Sequence, residues 1–334
     1  MTGSPQISVV VPTYRRCASV ERTLRALSMQ TLPADGYEVI VSIDGSEDGT
    51  REMLARFPAP YRLRSLWQPN RGRAAACNAG IRLAGAKLVI LLDDDMEPTP
   101  EFLEAHLRAH ATETDFPLCI MGAAPITSSS ASPPATQYIA TKFNQHLARL
   151  TRADGRFSIR DFYSGNCSIS RRTLLAVGGF DEDFTVYGNE DLELSVRLVR
   201  ASVRLAYDPR AIARQHHEKS FAQLAQDSMA KGRTAVLFAS KHPAVLPDLQ
   251  LSAYRRAPIE WRVVRSGMLG LQALWGGAAL ALIHLIERLE RIRPPFLNLI
   301  YRLALDYFYW TGVRSALREN RRIGQGLTVL PRNT

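Results

Sequence analysis

Cysteine is scarce and nowhere paired in spacing: Cys17, Cys77, Cys119 and Cys167 are the only four in 334 residues. That excludes a disulfide framework or a zinc knuckle and suits a reducing compartment. The opening Met-Thr-Gly-Ser-Pro-Gln has no basic stretch leading into an apolar run, so no signal peptide is expected. No internal repeat or low-complexity tract interrupts the chain. Glycine is missing where the first apolar run ends, in Pro12-Thr13-Tyr14-Arg15-Arg16. That absence argues against the phosphate-cradling loop of dinucleotide dehydrogenases and of sugar nucleotidyltransferases. Lysine is missing from Arg255 onward, where thirteen Arg face four Glu and one Asp.

What remains is a globular composition, 46% apolar and 22% charged, in a length that suits two domains. Eight positive charges of the net +10 fall in the last eighty residues, so the first 254 are close to neutral. Arginine interleaved with Leu, Trp and Tyr fits an anionic membrane surface better than a nucleic acid, for which no reading motif is present. Within this region Gly267–Ile286 carries no charge, yet it contains Gln272, His284 and four glycines and is flanked by Arg. Three readings of it stay open: a helix lying in the membrane interface, a span, or a soluble helical hairpin.

The first half alternates β-branched runs with helical spacing. Strands are expected at 7–11 (broken by Pro12), 37–43, 61–67 and 87–92, and helices at 17–30, 48–57 and 71–84. Strands apolar on both faces in a β-α-β-α rhythm predict a mostly parallel sheet covered by helices, with ligands collecting at the carboxyl ends of the strands. Polar residues sit at those ends: Thr13, Asp44 and Asp93 to Asp95. Further on, 127–136 reads as a loop, 137–150 as a helix, 162–170 as a strand, 178–181 as a turn, 189–201 as a helix, 203–207 as a strand and 221–240 as a helix. The rhythm stops near 244–257. Two domains follow, an α/β domain over 1–245 and a basic apolar helical region over 246–334, with long helices at 259–291 and 296–320 separated by Pro294-Pro295.

Three acidic motifs carry chemistry. Asp93-Asp94-Asp95 follows a buried strand, where three carboxylates repel one another unless a cation relieves them; strand alternation would place Asp93 and Asp95 on one side. In Asp44-Gly45-Ser46-Glu47-Asp48-Gly49-Thr50, Asp44 ends a strand and can accept from a base or ribose hydroxyl, while Asp48 suits a helix cap. In Gly188-Asn189-Glu190-Asp191, adjacent acids open an amphipathic helix, which either favours the helix dipole or supplies a general base.

Together these motifs resemble glycosyltransferase family 2, whose members adopt the GT-A fold. The matching stretches are Val9 to Arg16, Asp44 to Thr50, Asn70-Arg71-Gly72-Arg73-Ala74-Ala75-Ala76-Cys77-Asn78-Ala79-Gly80, Asp93 to Asp95, and Gly178-Gly179-Phe180-Asp181 leading to Glu190-Asp191, in the family's order across residues 5 to 240. The resemblance implies an inverting, metal-dependent transferase in surface glycan or glycolipid synthesis, taking a nucleotide-diphosphate sugar donor to a glycan or lipid-linked acceptor. Pro12, Thr13, Tyr14, Arg16 and Asn78 would line the nucleotide site and Asp44 would hold the base. Asp93 or Asp94 would contact the ribose. Asp95, with Asp93 and either His216 or His217, would hold Mn²⁺ or Mg²⁺. Asp191 would be the base and Glu190 its neighbour. The family often carries Arg just before the Asn of this element. Here Cys77 stands there, and Arg73, one helical turn earlier on the same face, is the candidate replacement near the diphosphate. The location that follows is cytoplasmic, against the inner face of the plasma membrane; the competing reading is a non-catalytic membrane-peripheral interaction protein.

Overall fold

The computed structural model describes residues 4–111, 116–153, 157–248, 250–252, 258–274 and 276–322. In chain order the elements begin β1 (Ile7–Thr13), α1 (Cys17–Leu27), β2 (Tyr37–Asp44), α2 (Thr50–Arg56), β3 (Arg62–Gln68), α3 (Arg73–Leu83), β4 (Leu88–Leu92), β5 (Met96–Pro98), α4 (Phe102–His110) and β6 (Leu118–Gly122). They continue with α5 (Pro134–Arg152), β7 (Asn166–Ser170), α6 (Arg171–Ala176), α7 (Glu190–Arg200), β8 (Arg204–Asp208), β9 (Ala213–Gln215), α8 (Phe221–Lys241), α9 (Ile259–Leu274), α10 (Ala278–Ile292) and α11 (Leu297–Arg322). The chain divides into two compact units. One comprises Met1–Ser129, Ile139–Thr185 and Glu190–His217; the other comprises Ser130–Tyr138, Val186–Asn189 and Glu218–Thr334. The α/β elements end at β9, and α8 groups with the helices that follow it. Of the segment where the α/β rhythm stops, 253–257 lies outside the described residues, as does the basic tail 323–334.

The first unit is built on a seven-stranded sheet in the order β3-β2-β1-β4-β7-β6-β8. Its strands pair in parallel except β7, which is antiparallel to both neighbours. This is the mostly parallel, helix-flanked architecture expected from the strand pattern. Alternate residues of β1 serve different cores: Val9 and Val11 pack with Leu24, Val39 and Ile90, whereas Val10 packs with Ile40, Cys77, Ile81 and Leu91. A sheet covered on both faces needs such continuous apolar runs. α3 lies close on this sheet at Gly80, where a Cβ would meet Val10 Cγ1 at 2.3 Å.

Some elements differ from expectation for identifiable reasons. Pro12 does not break β1, which runs to Thr13: pairing with β4 stops at Val10, so by Pro12 the strand has a neighbour on one side only, as on an edge strand, where proline is tolerated. Strand β7 begins at Asn166 rather than 162. Helix α4 and strands β5 and β6 were not foreseen. The Thr127–Thr136 stretch yields its last residues to α5, which starts with Pro134, a residue suited to the first helical turn.

Helix α4 carries a buried polar relay. Asn166 Nδ2 donates to the carbonyls of Ala123 and Ala211 (3.0 Å each), which orients its Oδ1 toward His106 Nε2 at 3.0 Å. His106 Nδ1 then accepts from Ser168 Oγ (2.8 Å), and His110 Nε2 donates to that same hydroxyl (2.8 Å). Both ring nitrogens of His106 and the Ser168 hydroxyl are thereby paired with both imidazoles neutral. Burial brings His106 down from 6.5 to about 4; His110 on the same helix adds to this, while Asn166 on β7 and Asp208 on β8 oppose it. His110 is lowered too, again by burial. Because the folded value lies below the unfolded one, this contribution is complete above pH 6.5 and is lost as pH falls toward about 4. The full loss is about 3 kcal/mol. Denaturant unfolding followed across that window should show this acid-side slope, and His106→Gln should flatten it. A wild-type midpoint independent of pH there would refute the neutral relay.

The second unit is helical. Ser220 and Gln223 form a capping box that starts α8. The α8–α11 crossing is close: a Cβ on Gly232 would fall 1.9 Å from Tyr309 O, and one on Gly312 would fall 2.0 Å from Met229 O. Phe221 stacks on Tyr301 at 5.4 Å, with Phe308 edge-on to Phe221. The expected single helix over 259–291 is instead two, with Gly276 and Gly277 in a turn between α9 and α10. The uncharged stretch Gly267–Ile286 is thereby divided. Among the described residues no helix is long and apolar enough to cross a membrane.

Candidate active site

Strands β1, β2 and β4 end side by side, and their C-terminal residues with the loops beyond them build one acidic cleft. Its three aspartates do not alternate as strand residues. β4 stops at Leu92 and the chain turns, with Met96 N donating to Asp93 O. Asp93 therefore separates from the other two. Asp94 accepts from Thr13 Oγ1 at 2.7 Å, and the Arg16 guanidinium spans Asp94 Oδ1 (3.1 Å) and Asp95 Oδ2 (3.0 Å). Asp93 Oδ1 instead receives Arg73 Nη2 (2.7 Å) and Nε (3.2 Å). The expectation that Asp93 and Asp95 share a side is corrected by this turn.

Asp94 and Asp95 are both buried but titrate in opposite directions. Burial, against the pull of Arg16, pushes Asp94 up to about 7. Asp95 is equally subject to burial, but the His217 hydrogen bond, the Arg16 charge and Gln215 together bring it below the usual carboxylate range. His217 Nδ1 stands 3.3 Å from Asp95 Oδ2 and Gln215 Nε2 donates to Oδ1 at 3.2 Å, whereas His216 Nε2 pairs with Glu97 at 2.5 Å. The histidine facing the acidic cluster is thus His217. Among the described residues no three His, Cys, Asp or Glu side chains gather around one point. Asp95 and His217 together offer a hard carboxylate oxygen and an imidazole nitrogen. That pair fits a divalent cation completed by phosphate oxygens.

Asp191, in the first turn of α7, is held by Arg73 and Ser164. Its Oδ1 accepts from Arg73 Nη1 at 3.1 Å and from Ser164 Oγ, which itself accepts from Arg73 Nη1 at 2.9 Å. Glu190 is buried, its Oε1 3.9 Å from the same Nη1. Arg73 therefore joins Asp93, Ser164 and Asp191. Its charge is held strongly on: burial works against it, but Asp93, Asp191 and Glu190 outweigh that. Cys77, behind it on α3, is pushed up to about 12 by burial and so stays a neutral thiol.

Two expected nucleotide residues have structural partners. Asp44 accepts from Gln68 Nε2, Arg71 N and Gly72 N at 2.8–2.9 Å and so braces the β3–α3 loop. Asn78 closes a pair with Phe180, donating to its carbonyl (2.9 Å) and accepting from its N–H (2.7 Å). This fixes the Gly178-Gly179 turn, where Gly179 has φ of 67° and a Cβ would strike Asn78 Oδ1. Pro12 and Thr13 are buried at the end of β1, whereas Tyr14 is 42% exposed. Trp67, which sequence reasoning missed, is 44% exposed on edge strand β3, its Nε1 3.4 Å from Ser46 O. Ser164 and Gln215 were missed as well: the first lay inside an expected strand and the second preceded the histidines without any motif. Asp48 caps more than its own helix, accepting from Cys17 N at 3.0 Å. The N-terminus of α1 is thereby occupied by a protein carboxylate, consistent with the missing glycine loop.

The family model described as glycosyl transferase family 2 matches residues 8–178, just over half of the chain. The chain belongs to glycosyltransferase family 2. A second model, the N-terminal domain of galactosyltransferase, matches residues 145–220 of this family 2 chain. Validoxylamine A glucosyltransferase of Streptomyces hygroscopicus subsp. jinggangensis is 30% identical over 294 residues, covering 80% of this chain and 65% of that enzyme. The chain thus spans just under two thirds of that relative's length. Among solved structures, the mannosyltransferase PcManGT from Pyrobaculum calidifontis, in complex with GDP-Man and Mn²⁺, is 20% identical with a TM-score of 0.64, covering 95% of this chain and 88% of its own. Residues 1–349 of TarS from S. aureus, in complex with UDP, are 16% identical with a TM-score of 0.51, covering 96% and 92% respectively. These structures support the GT-A architecture of the family 2 chain.

Proposed function

We propose that this family 2 member is a metal-dependent, inverting glycosyltransferase that moves a sugar from a nucleotide-diphosphate donor to an acceptor hydroxyl. The observation that carries the reading is the Arg73 guanidinium, which joins Asp191 at the start of α7 to Asp93 of the acidic triplet. The cleft can hold a donor with its nucleotide beside Thr13, Tyr14 and Trp67 and its diphosphate toward Asp95 and His217. A divalent cation there, Mn²⁺ or Mg²⁺, would be held by Asp95 and His217 with donor oxygens and would supply Lewis acidity to the leaving diphosphate. The complexes of PcManGT with GDP-Man and Mn²⁺ and of TarS with UDP support this donor class.

Both hydrogen bonds to Asp191 fall on Oδ1. Oδ2 is the atom that takes the proton from the acceptor hydroxyl as its oxygen attacks the anomeric carbon. Arg73 and Ser164 fix the carboxylate's orientation. One base and direct displacement give inversion: Asp93 is engaged by Arg73 and Glu190 is buried, so neither serves as a second nucleophile for a covalent intermediate. The acceptor is a hydroxyl of a glycan or lipid-linked sugar in surface glycan or glycolipid synthesis.

Thermal unfolding against a panel of nucleoside diphosphates, with and without Mn²⁺, tests the donor assignment. One nucleotide at about 100 times its dissociation constant should add roughly 2.7 kcal/mol, and only with the cation present. Absence of any nucleotide-dependent shift would remove the catalytic reading in favour of a non-catalytic interaction protein.

A further inference from the structure

The helices α10 and α11 leave apolar side chains in water. Leu285 and Ile292 on α10 are more than half exposed, as is Phe296 just before α11. Leu285, Arg288 and Ile292 recur at spacings of three and four, so they form one stripe, and the exposed Arg291 and Arg293 border it. Two acids accompany them, Glu287 at 3.4 Å from His284 and Glu290 accepting from Tyr301 Oη (2.5 Å), so that 287–296, with three Arg and two Glu, keeps a net positive charge. What the stripe offers is therefore isoleucine, leucine and phenylalanine among guanidinium groups.

Arginines at a helix C-terminus complement its dipole, which explains Arg291 but not the exposed apolar residues beside it. A second copy packed on this stripe about a two-fold axis would set a net positive charge against a net positive charge. An anionic lipid surface meets both halves of the pattern. Its headgroups pair with the guanidinium groups, and the apolar side chains sink to the acyl boundary while the arginine stems lie along it.

We propose that this α10–α11 stripe docks the protein on an anionic membrane surface, with the helices lying along the interface rather than crossing it. The proposal stands on this surface alone and does not depend on the assignment of the active site. Attachment through exposed guanidinium groups and a few apolar side chains is reversible and salt-sensitive.

Vesicle flotation with the full chain tests it. The protein should float with phosphatidylcholine vesicles that contain roughly one third phosphatidylglycerol, should not float with phosphatidylcholine alone, and should be released by high salt. Arg288→Gln combined with Arg291→Gln should lower partitioning about 30-fold. Ile292→Ser combined with Phe296→Ser should lower it as well, and all four positions are exposed, so melting temperatures should stay at the wild-type value. Equal flotation with neutral and anionic vesicles would overturn the proposal, as would unchanged partitioning of both double variants. A concentration-dependent dimer that Ile292→Ser dissociates, without any flotation, would assign the stripe to a second copy instead.

Discussion

Asp191→Asn is expected to lower turnover by about a thousandfold while donor affinity stays within a few-fold of wild type. The substitution is nearly isosteric. Both hydrogen bonds that hold the carboxylate fall on Oδ1, from Arg73 Nη1 and from Ser164 Oγ, so the amide oxygen can keep both. Only the second position changes, from an oxygen that accepts a proton to an NH₂ that cannot. The residues proposed to face the donor are untouched: Asp94 and Asp95 stay paired with Arg16, and Thr13 still donates to Asp94. Initial rates at saturating donor, paired with the Mn²⁺-dependent thermal shift, separate the two effects. Wild-type turnover in this variant would end the assignment of Asp191 as base. Loss of the thermal shift as well would mean that the variant had disturbed the cleft rather than the proton transfer.

Much of this arrangement was legible in the chain because the features are local. Val9-Val10-Val11 reads as a strand apolar on both sides, and it is one. The acidic triplet reads as a strand end; Arg73, expected through the family resemblance near the diphosphate, is found joining Asp93, Ser164 and Asp191. Features that depend on where an element stops were not legible. Whether Asp93 joins Asp95 is decided by the turn after Leu92, and alternation drawn one residue too far gives the wrong pairing. Gly276-Gly277 is two glycines inside an apolar run, and only the packed helices show that it divides the run. Ser164 is separated by 27 residues from the carboxylate it contacts and by 91 from the arginine, with no pattern of its own. His106 resembles any other polar residue on an amphipathic helix until β7 brings Asn166 and Ser168 against it.

Arg73→Ala is expected to damage both stability and rate. Its guanidinium is the shared partner of Asp93 and Asp191, lies 3.9 Å from Glu190, and is joined to Ser164. Removing it takes away the cation that Asp93 and Asp191 share and that lies 3.9 Å from Glu190. Stranding buried charges costs 3–5 kcal/mol, and since Asp93 and Asp191 are nearly a third exposed the lower end applies, about 3 kcal/mol or a fall of roughly 10 °C in melting temperature. Rate should fall further than stability explains, because Asp191 also loses the donor that orients it. Arg73→Lys separates charge from geometry. One ammonium can restore much of the melting temperature, but it cannot reproduce the fork that places Nε and Nη2 on Asp93 while Nη1 meets Ser164 and Asp191. Turnover in the lysine variant should therefore remain low with KM for donor near wild type. Recovery of turnover in step with melting temperature would reduce Arg73 to a neutralising charge. Unchanged donor affinity and turnover in Arg73→Ala would remove it from the reaction altogether.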